Sequence, residues 1–204
     1  MAIDVGWAAL EEPGLEHVVL SGGPDGWLAQ GDVIMAGTRL LTVRYQLRCD
    51  SGWRFTDLTI SVTDAAGERR LVLAARDGRW LANGQPCPDL DGCTDIDLSC
   101  TPLTNTLPIR RLSWSATRQH DLHVAYVSVP GLDVRKAEQR YTLLTPPALQ
   151  GTGQRDQVAP AWADTVFCYQ SGTYRADLPV DSDGLVIDYP GGWQRVACGS
   201  SIAA

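Results

Sequence analysis

The sequence predicts an all-β protein on three observations. Apolar residues recur with a period of two, the runs are short and punctuated by turn dipeptides, and no stretch between them carries the repeat of an amphipathic helix. Over 38–49, Val43, Tyr45, Leu47 and Cys49 alternate with Thr42, Arg44, Gln46 and Arg48, which sends charge to one sheet face and apolar groups to the other. Leu58, Ile60 and Val62 repeat the pattern against Thr59, Ser61 and Thr63. After the turn Asp64-Ala65-Ala66-Gly67 it returns in Leu71, Leu73 and Ala75. Asp77-Gly78 and Asn83-Gly84 tolerate the positive φ angles of hairpin turns, so they predict two reversals around 79–82 and a β-meander.

Further strands are expected over 112–116, 122–129, 132–134, 140–144, 166–170, 173–180, 185–189 and 193–198. The segment 145–160, with three prolines and many small polar residues, predicts a long loop. One short helix is expected from Thr104 or Asn105 to Leu112: either residue suits an N-cap, and Pro108 then falls in the first turn, where its missing N–H costs little. Such a helix brings Leu107 and Arg111 onto one side. No fixed-period repeat is present, so one domain over residues 1–204 is the expectation.

Composition narrows the function classes. The net charge of -7, from 24 acids against 17 bases, opposes binding to nucleic acid, whose phosphates call for a basic face. The N-terminal residues lack a basic stretch and an apolar run, and no later segment approaches the about 18 apolar residues of a membrane span, which predicts a cytoplasmic, non-spanning protein. Six cysteines without a C-x-x-C pair or a histidine cluster predict free thiols and no zinc, although Cys93 and Cys100 are near enough in sequence to bridge in an oxidising compartment.

The densest polar pattern is 93–112, CTDIDLSCTPLTNTLPIRRL. Arg110 and Arg111 offer guanidinium forks for a carboxylate, phosphate or vicinal hydroxyls. Asp95 and Asp97, two residues apart on one strand face, either join ligand recognition or neutralise those arginines in an internal ion network. Thr104 and Asn105 are ligand candidates or plain caps. The acidic run from Asp89 to Asp97 lacks the order of a calcium loop, and His120 and His123 fall on opposite strand faces, so no metal is expected. Neither a nucleophile elbow nor a phosphate loop is present, no catalytic residue is assigned, and no cofactor is expected. Seven tryptophans against two phenylalanines draw attention to Trp53, Trp80 and Trp193, which adjoin turn glycines where an indole could stack on a sugar or simply pack in the core. Tyr189 and Arg195 could extend a polar rim, unless Asp188 pairs with Arg195.

The stretches 44–53, 77–84, 90–112, 129–134 and 184–196 together resemble the bacterial family described as putative glycolipid-binding proteins, most specifically in Thr-Asn-Thr-Leu-Pro-Ile-Arg-Arg-Leu. Cys87 and Cys100 depart from the resemblance. It implies a spiral β-roll, a many-stranded antiparallel sheet wrapped around one short central helix, and brings no catalytic residues with it. The function it implies is non-enzymatic binding of a glycolipid or other amphiphile, with the head group near Arg110, Arg111 and a tryptophan. Two alternatives remain open: a hydrolase acting on a sugar or ester through Asp95 or Asp97, and an interaction module, such as a homodimer joined at a strand edge.

Overall fold

The computed structural model describes residues 2–145, 162 and 165–201. The loop expected over 145–160 lies, beyond Thr145, outside the described residues. Two sheets organise the chain. The first is a meander of β1 (Ala2–Ala9), β2 (Gly14–Gly23), β3 (Gly26–Ala36), β4 (Leu40–Cys49), β5 (Phe55–Asp64), β6 (Gly67–Arg76), β7 (Arg79–Ala82) and β8 (Gln85–Pro86), adjacent in space in that order. The hairpins at Asp77-Gly78 and Asn83-Gly84 form as expected, with φ of 51° at Asp77 and 49° at Asn83.

The second sheet orders β9 (Asp95–Leu98), β10 (Gln119–Ser128), β11 (Asp133–Thr145), β12 (Thr165–Ser171) and β13 (Tyr174–Val180). The chain then returns to the first sheet, where β15 (Trp193–Ser201) pairs antiparallel with β1 and β14 (Asp188–Tyr189) pairs with β15. All these pairings are antiparallel except one, since β9 runs parallel to β10. A parallel pair needs a crossover, and this one contains the single α-helix among the described residues, α1 (Thr106–Arg111), entered through a 3-10 turn at Leu103–Asn105.

The sequence reading needs four corrections here. Residues 112–116 form no strand: Trp114 folds back, donates its indole N–H to the Ile109 carbonyl at 2.9 Å and packs against Phe167. The runs 132–134 and 140–144 belong to one strand, β11, along which Ala137, Gln139 and Tyr141 are buried between exposed Lys136, Glu138 and Arg140. The strand expected over 185–189 shrinks to Asp188–Tyr189. Neither Thr104 nor Asn105 caps the helix, because both lie in the preceding 3-10 turn and Asn105 is already helical (φ -63°).

Two apolar cores result. The larger collects the inward residues of β1 to β7, joined by Ile96, Leu98, Leu103 and Leu107. The smaller lies on the second sheet around Tyr141, Phe167 and Leu178, and receives Ile109. Leu107 and Ile109, on one turn and a half of helix, therefore bind the cores together, and Thr106 to Ile109 are all buried.

A polar exception sits inside the larger core. Glu16 on β2 is 0% exposed, and its Oε1 accepts a 2.7 Å hydrogen bond from the hydroxyl of Tyr45 on β4. Tyr45 reaches across β3 because Gly31 stands directly opposite it: a Cβ there would lie 2.1 Å from the tyrosine ring. Burial pushes the Glu16 carboxyl up to about 8, against a lowering by its bonds to Tyr45 and Thr101. Its other oxygen, Oε2, has no hydrogen-bond partner.

Candidate functional site

The 93–112 segment divides into three environments. Strand alternation sends Ile96 and Leu98 of β9 into the larger core and leaves Asp95 and Asp97 on the other face. Asp95, 0% exposed, forms a two-bonded ion pair with Arg111: its Oδ1 accepts from Nε at 3.2 Å and its Oδ2 from Nη2 at 2.5 Å. Thr94 Oγ1 also donates to Oδ2 at 2.7 Å. This is the internal ion network, reduced to one acid and one base.

Arg110 occupies the second environment. Its Nη1 donates to the Asp183 carbonyl at 2.6 Å, and its guanidinium lies 4.6 Å from the Trp53 ring centroid and 5.5 Å from that of Trp27. Desolvation lowers its pKa, an effect opposed by Asp183 and Asp181. Trp53 is buried, stacks on Trp27 with centroids 4.4 Å apart, and holds a left-handed φ of 64°. The carboxylate of Asp50 stabilises that turn by accepting from the N–H groups of Gly52 and Arg54, both at 2.9 Å. Trp80 is a core residue, stacked on Phe55, with its indole N–H directed to the Cys93 carbonyl. Arg195 pairs with Asp181 and not with Asp188, which stands opposite Gln194 in the sheet.

The third environment opens to solvent. Asp97, half-buried, accepts from Thr104 Oγ1 at 2.9 Å on Oδ1 and from Gln139 Nε2 at 2.7 Å on Oδ2. Desolvation raises its pKa, partly countered by hydrogen bonds from Thr104, Gln139 and Tyr169 and by the charge of Arg135. Asn105 sits beside it with both ends of its amide engaged: Nδ2 donates to the Pro102 carbonyl at 3.0 Å and Oδ1 accepts from the Tyr141 hydroxyl at 2.8 Å.

Asp97 and Asn105 line a cleft of about 380 Å³ between the sheets, within the about 300–1,000 Å³ range of small-molecule sites. Its walls come from many elements: Tyr126 from β10, Arg135 from β11, Tyr169 from β12, Tyr174 from β13, Tyr189 from β14, Trp193 from β15 and Glu11 from the β1–β2 turn. Tyr174 and Tyr189 stack with their planes 9° apart, and the Tyr174 hydroxyl donates to the Pro190 carbonyl. Arg135 covers the Tyr126 ring at 4.6 Å. Thr101 forms part of the wall and lies 3.5 Å from the Tyr45 hydroxyl, so the buried Glu16 is two side chains behind the cleft. Two other hollows lie over outward strand faces lined largely by charged and polar side chains, one around Asp121, His123 and Arg140 and one around Asp32, Arg44 and Arg70.

The structure thus gathers Asp97, Asn105, Tyr189 and Trp193 of the sequence candidates at one cleft, with Thr104 immediately behind Asp97. Asp95, Arg110, Arg111 and Trp53 lie elsewhere, engaged with protein groups. Tyr126, Arg135, Tyr169 and Tyr174 were missed. The available signal was composition, since four of the chain's six tyrosines line this one cleft. Among the described residues, no helix is long and apolar enough to cross a membrane, and no cluster of His, Cys, Asp and Glu is arranged for a metal ion.

Comparison with known proteins adds a family and a fold. A family profile described as "Putative glycolipid-binding" matches residues 4–195. The crystal structure of a DUF1089 family protein from Pseudomonas aeruginosa is similar over 93% of this chain and 95% of that one, with 30% identity and a TM-score of 0.74. A β-barrel-like protein of the DUF1849 family from Brucella abortus covers 98% of this chain and 97% of its own at 11% identity and a TM-score of 0.58, a likeness of fold alone. No curated protein matches the chain significantly.

Proposed function

The chain belongs to the putative glycolipid-binding family, and from that premise we propose that it is a non-enzymatic binder of an amphiphile whose hydroxylated head group enters the tyrosine-lined cleft. One observation carries the reading: aromatic faces and convergent polar groups surround one solvent-open space. Tyr174 and Tyr189, with the buried Tyr169 behind them, offer rings that stack on the C–H face of a sugar, while Asp97 and Arg135 offer an acceptor and a donor for its hydroxyls. The acyl chain would leave the cleft past Leu10, which is 50% exposed and whose N–H bonds to the Gly192 carbonyl at the rim.

The placement differs from the one centred on the twin arginines. Arg111 is committed to Asp95, and removing it to serve a ligand would leave a buried carboxylate unpaired. The hydrolase reading is weaker for the same reason: Asp95 is committed to a two-bonded ion pair with Arg111, and of the two acids Asp97 alone lines the cleft, so the pair does not face one substrate.

Titration of the protein with alkyl glycosides below their micelle concentrations, followed by calorimetry, tests the proposal. At least one glycoside is expected to bind with Kd below about 1 mM, equivalent to about -4 kcal/mol. Tyr189→Ala should weaken it at least tenfold with the melting transition retained. Absence of binding across the panel, or loss in Arg110→Ala with Tyr189→Ala unaffected, would overturn the assignment.

A further inference from the structure

Asp97 is a desolvated carboxylate whose identified hydrogen-bond donors are neutral. Thr104 and Gln139 donate to its two oxygens, and among the described residues no lysine or arginine forms an ion pair with it. Asp95, two residues away on the same strand face, has its arginine at 2.5 Å, so the fold brings a cation into ion-pair contact with one carboxylate and not with the other. A carboxylate left partly dehydrated with no cation in hydrogen-bond contact, Arg135 acting on it only across the cleft, is unfavourable, and the deficit is offset when a cation arrives from solution.

The space in front of Asp97 suits such a cation. Tyrosine rings present the negative face of their quadrupole to a nearby positive charge, and several rings around one acid form the kind of cage that takes ammonium groups. The wall already demonstrates the interaction, because the Arg135 guanidinium lies 4.6 Å from the centroid of the Tyr126 ring. Glu11 contributes a second carboxylate near Tyr174, and with Asp97 that makes two acids against the one base, Arg135, lining the cleft.

We infer that the head group accepted by this cleft carries a positively charged amine, as in an amino sugar, held by Asp97 and the surrounding tyrosines. The inference rests on the proposed head-group site and specifies its ligand class.

Four soluble probes separate the two ideas: octyl glucoside, octyl glucosaminide, octylammonium and octyl phosphate, each titrated into the full chain by calorimetry below the pKa of the amine. The glucosaminide is expected to bind at least tenfold more tightly than the glucoside, with the gap lost in Asp97→Asn and narrowed by added salt. Equal binding of the two glycosides overturns the amine inference and leaves the sugar site standing. Binding of octylammonium as tightly as the glucosaminide, with the glucoside inert, keeps the amine and removes the sugar. Tightest binding of octyl phosphate overturns the inference in favour of Arg135, and no binding by any probe overturns both. If Asp97→Asn fails to fold, Tyr126→Leu and the salt titration of the unmodified protein decide the question, since an amine preference insensitive to both contradicts the cage.

Discussion

Replacing Glu16 by glutamine tests the central electrostatic feature of the fold. In the native state the carboxyl is pushed up to about 8, whereas its ordinary value is 4.5. Between those values the folded protein holds a proton that the unfolded chain releases, so rising pH favours unfolding. The full difference is 3.5 pH units, from 8 less 4.5, and at 1.36 kcal/mol per unit corresponds to about 5 kcal/mol. The stabilising contribution is complete below about pH 4.5 and lost as pH climbs through 8, with most of the loss, about 4 kcal/mol, falling between pH 5 and 9. Glutamine retains an acceptor for the Tyr45 hydroxyl and cannot ionise. Its extra N–H groups, added where Oε2 already lacks a partner, cost a pH-independent offset of about 1–3 kcal/mol. Urea denaturation of both proteins at pH 5, 7 and 9 measures the difference in unfolding free energy, in which every other titrating group cancels. Glu16→Gln should gain on the unmodified protein by about 4 kcal/mol across that range. Parallel stability curves would show that Glu16 is ionised in the folded state and that its burial has been misread.

Arg111→Ala should destabilise the protein by about 3–5 kcal/mol, because it strands the buried Asp95 carboxylate. Arg110→Ala, which removes a bond to a carbonyl and a contact with Trp53, should cost only about 1–3 kcal/mol. Denaturant midpoints of the two variants check this order, and the reverse order would refute the assignment of roles to the twin arginines. Gly31→Ala should lower stability by about 1–3 kcal/mol, since the new Cβ meets the Tyr45 ring at 2.1 Å. The same variant should also weaken the bond between Tyr45 and Glu16, which a changed tyrosine fluorescence would report.

The strands easiest to read in the sequence are those whose two faces have opposite solvent. In β4, exposed and buried positions alternate without a break from Leu40 to Cys49, and the sequence alternates with them. The first three strands escaped notice because each departs from that rule. β1 carries a register shift between Gly6 and Trp7, which disrupts the period of two. β2 buries Glu16 and exposes Leu15, the inverse of what side-chain polarity suggests. β3 has Gly31 at an inward position, where a neighbouring strand's Tyr45 supplies the missing volume. The helix was legible from Pro108 and its apolar neighbours, but its caps were not, because the preceding 3-10 turn occupies Thr104 and Asn105 before the helix begins.

The site was half legible for a different reason. Asp97 and Asn105 stand eight positions apart in one polar segment and drew attention together, whereas the tyrosines come singly from four strands. No spacing rule joins residues 126, 169, 174 and 189; only the pairing of β10 to β13 and the return of β14 to the first sheet brings them to one cleft.

The division of labour inside 93–112 also explains why that segment looks like a recognition motif while most of it is structural. Parallel pairing of β9 with β10 requires a crossover through the region between the sheets, and that crossover must satisfy its own polar groups as it goes. Asp95 meets Arg111, Asn105 meets Pro102 and Tyr141, and Leu107 and Ile109 fill one core each. Asp97 is the carboxylate of this set that faces the cleft, and its own hydrogen-bond partners are neutral. Mutations across the segment should therefore separate by readout, with Asp95, Asn105 and Arg111 moving stability and Asp97 moving ligand preference. If Asp97→Asn destabilises the fold as much as Arg111→Ala does, the carboxylate belongs to the crossover's internal bonding and the cleft loses its acid.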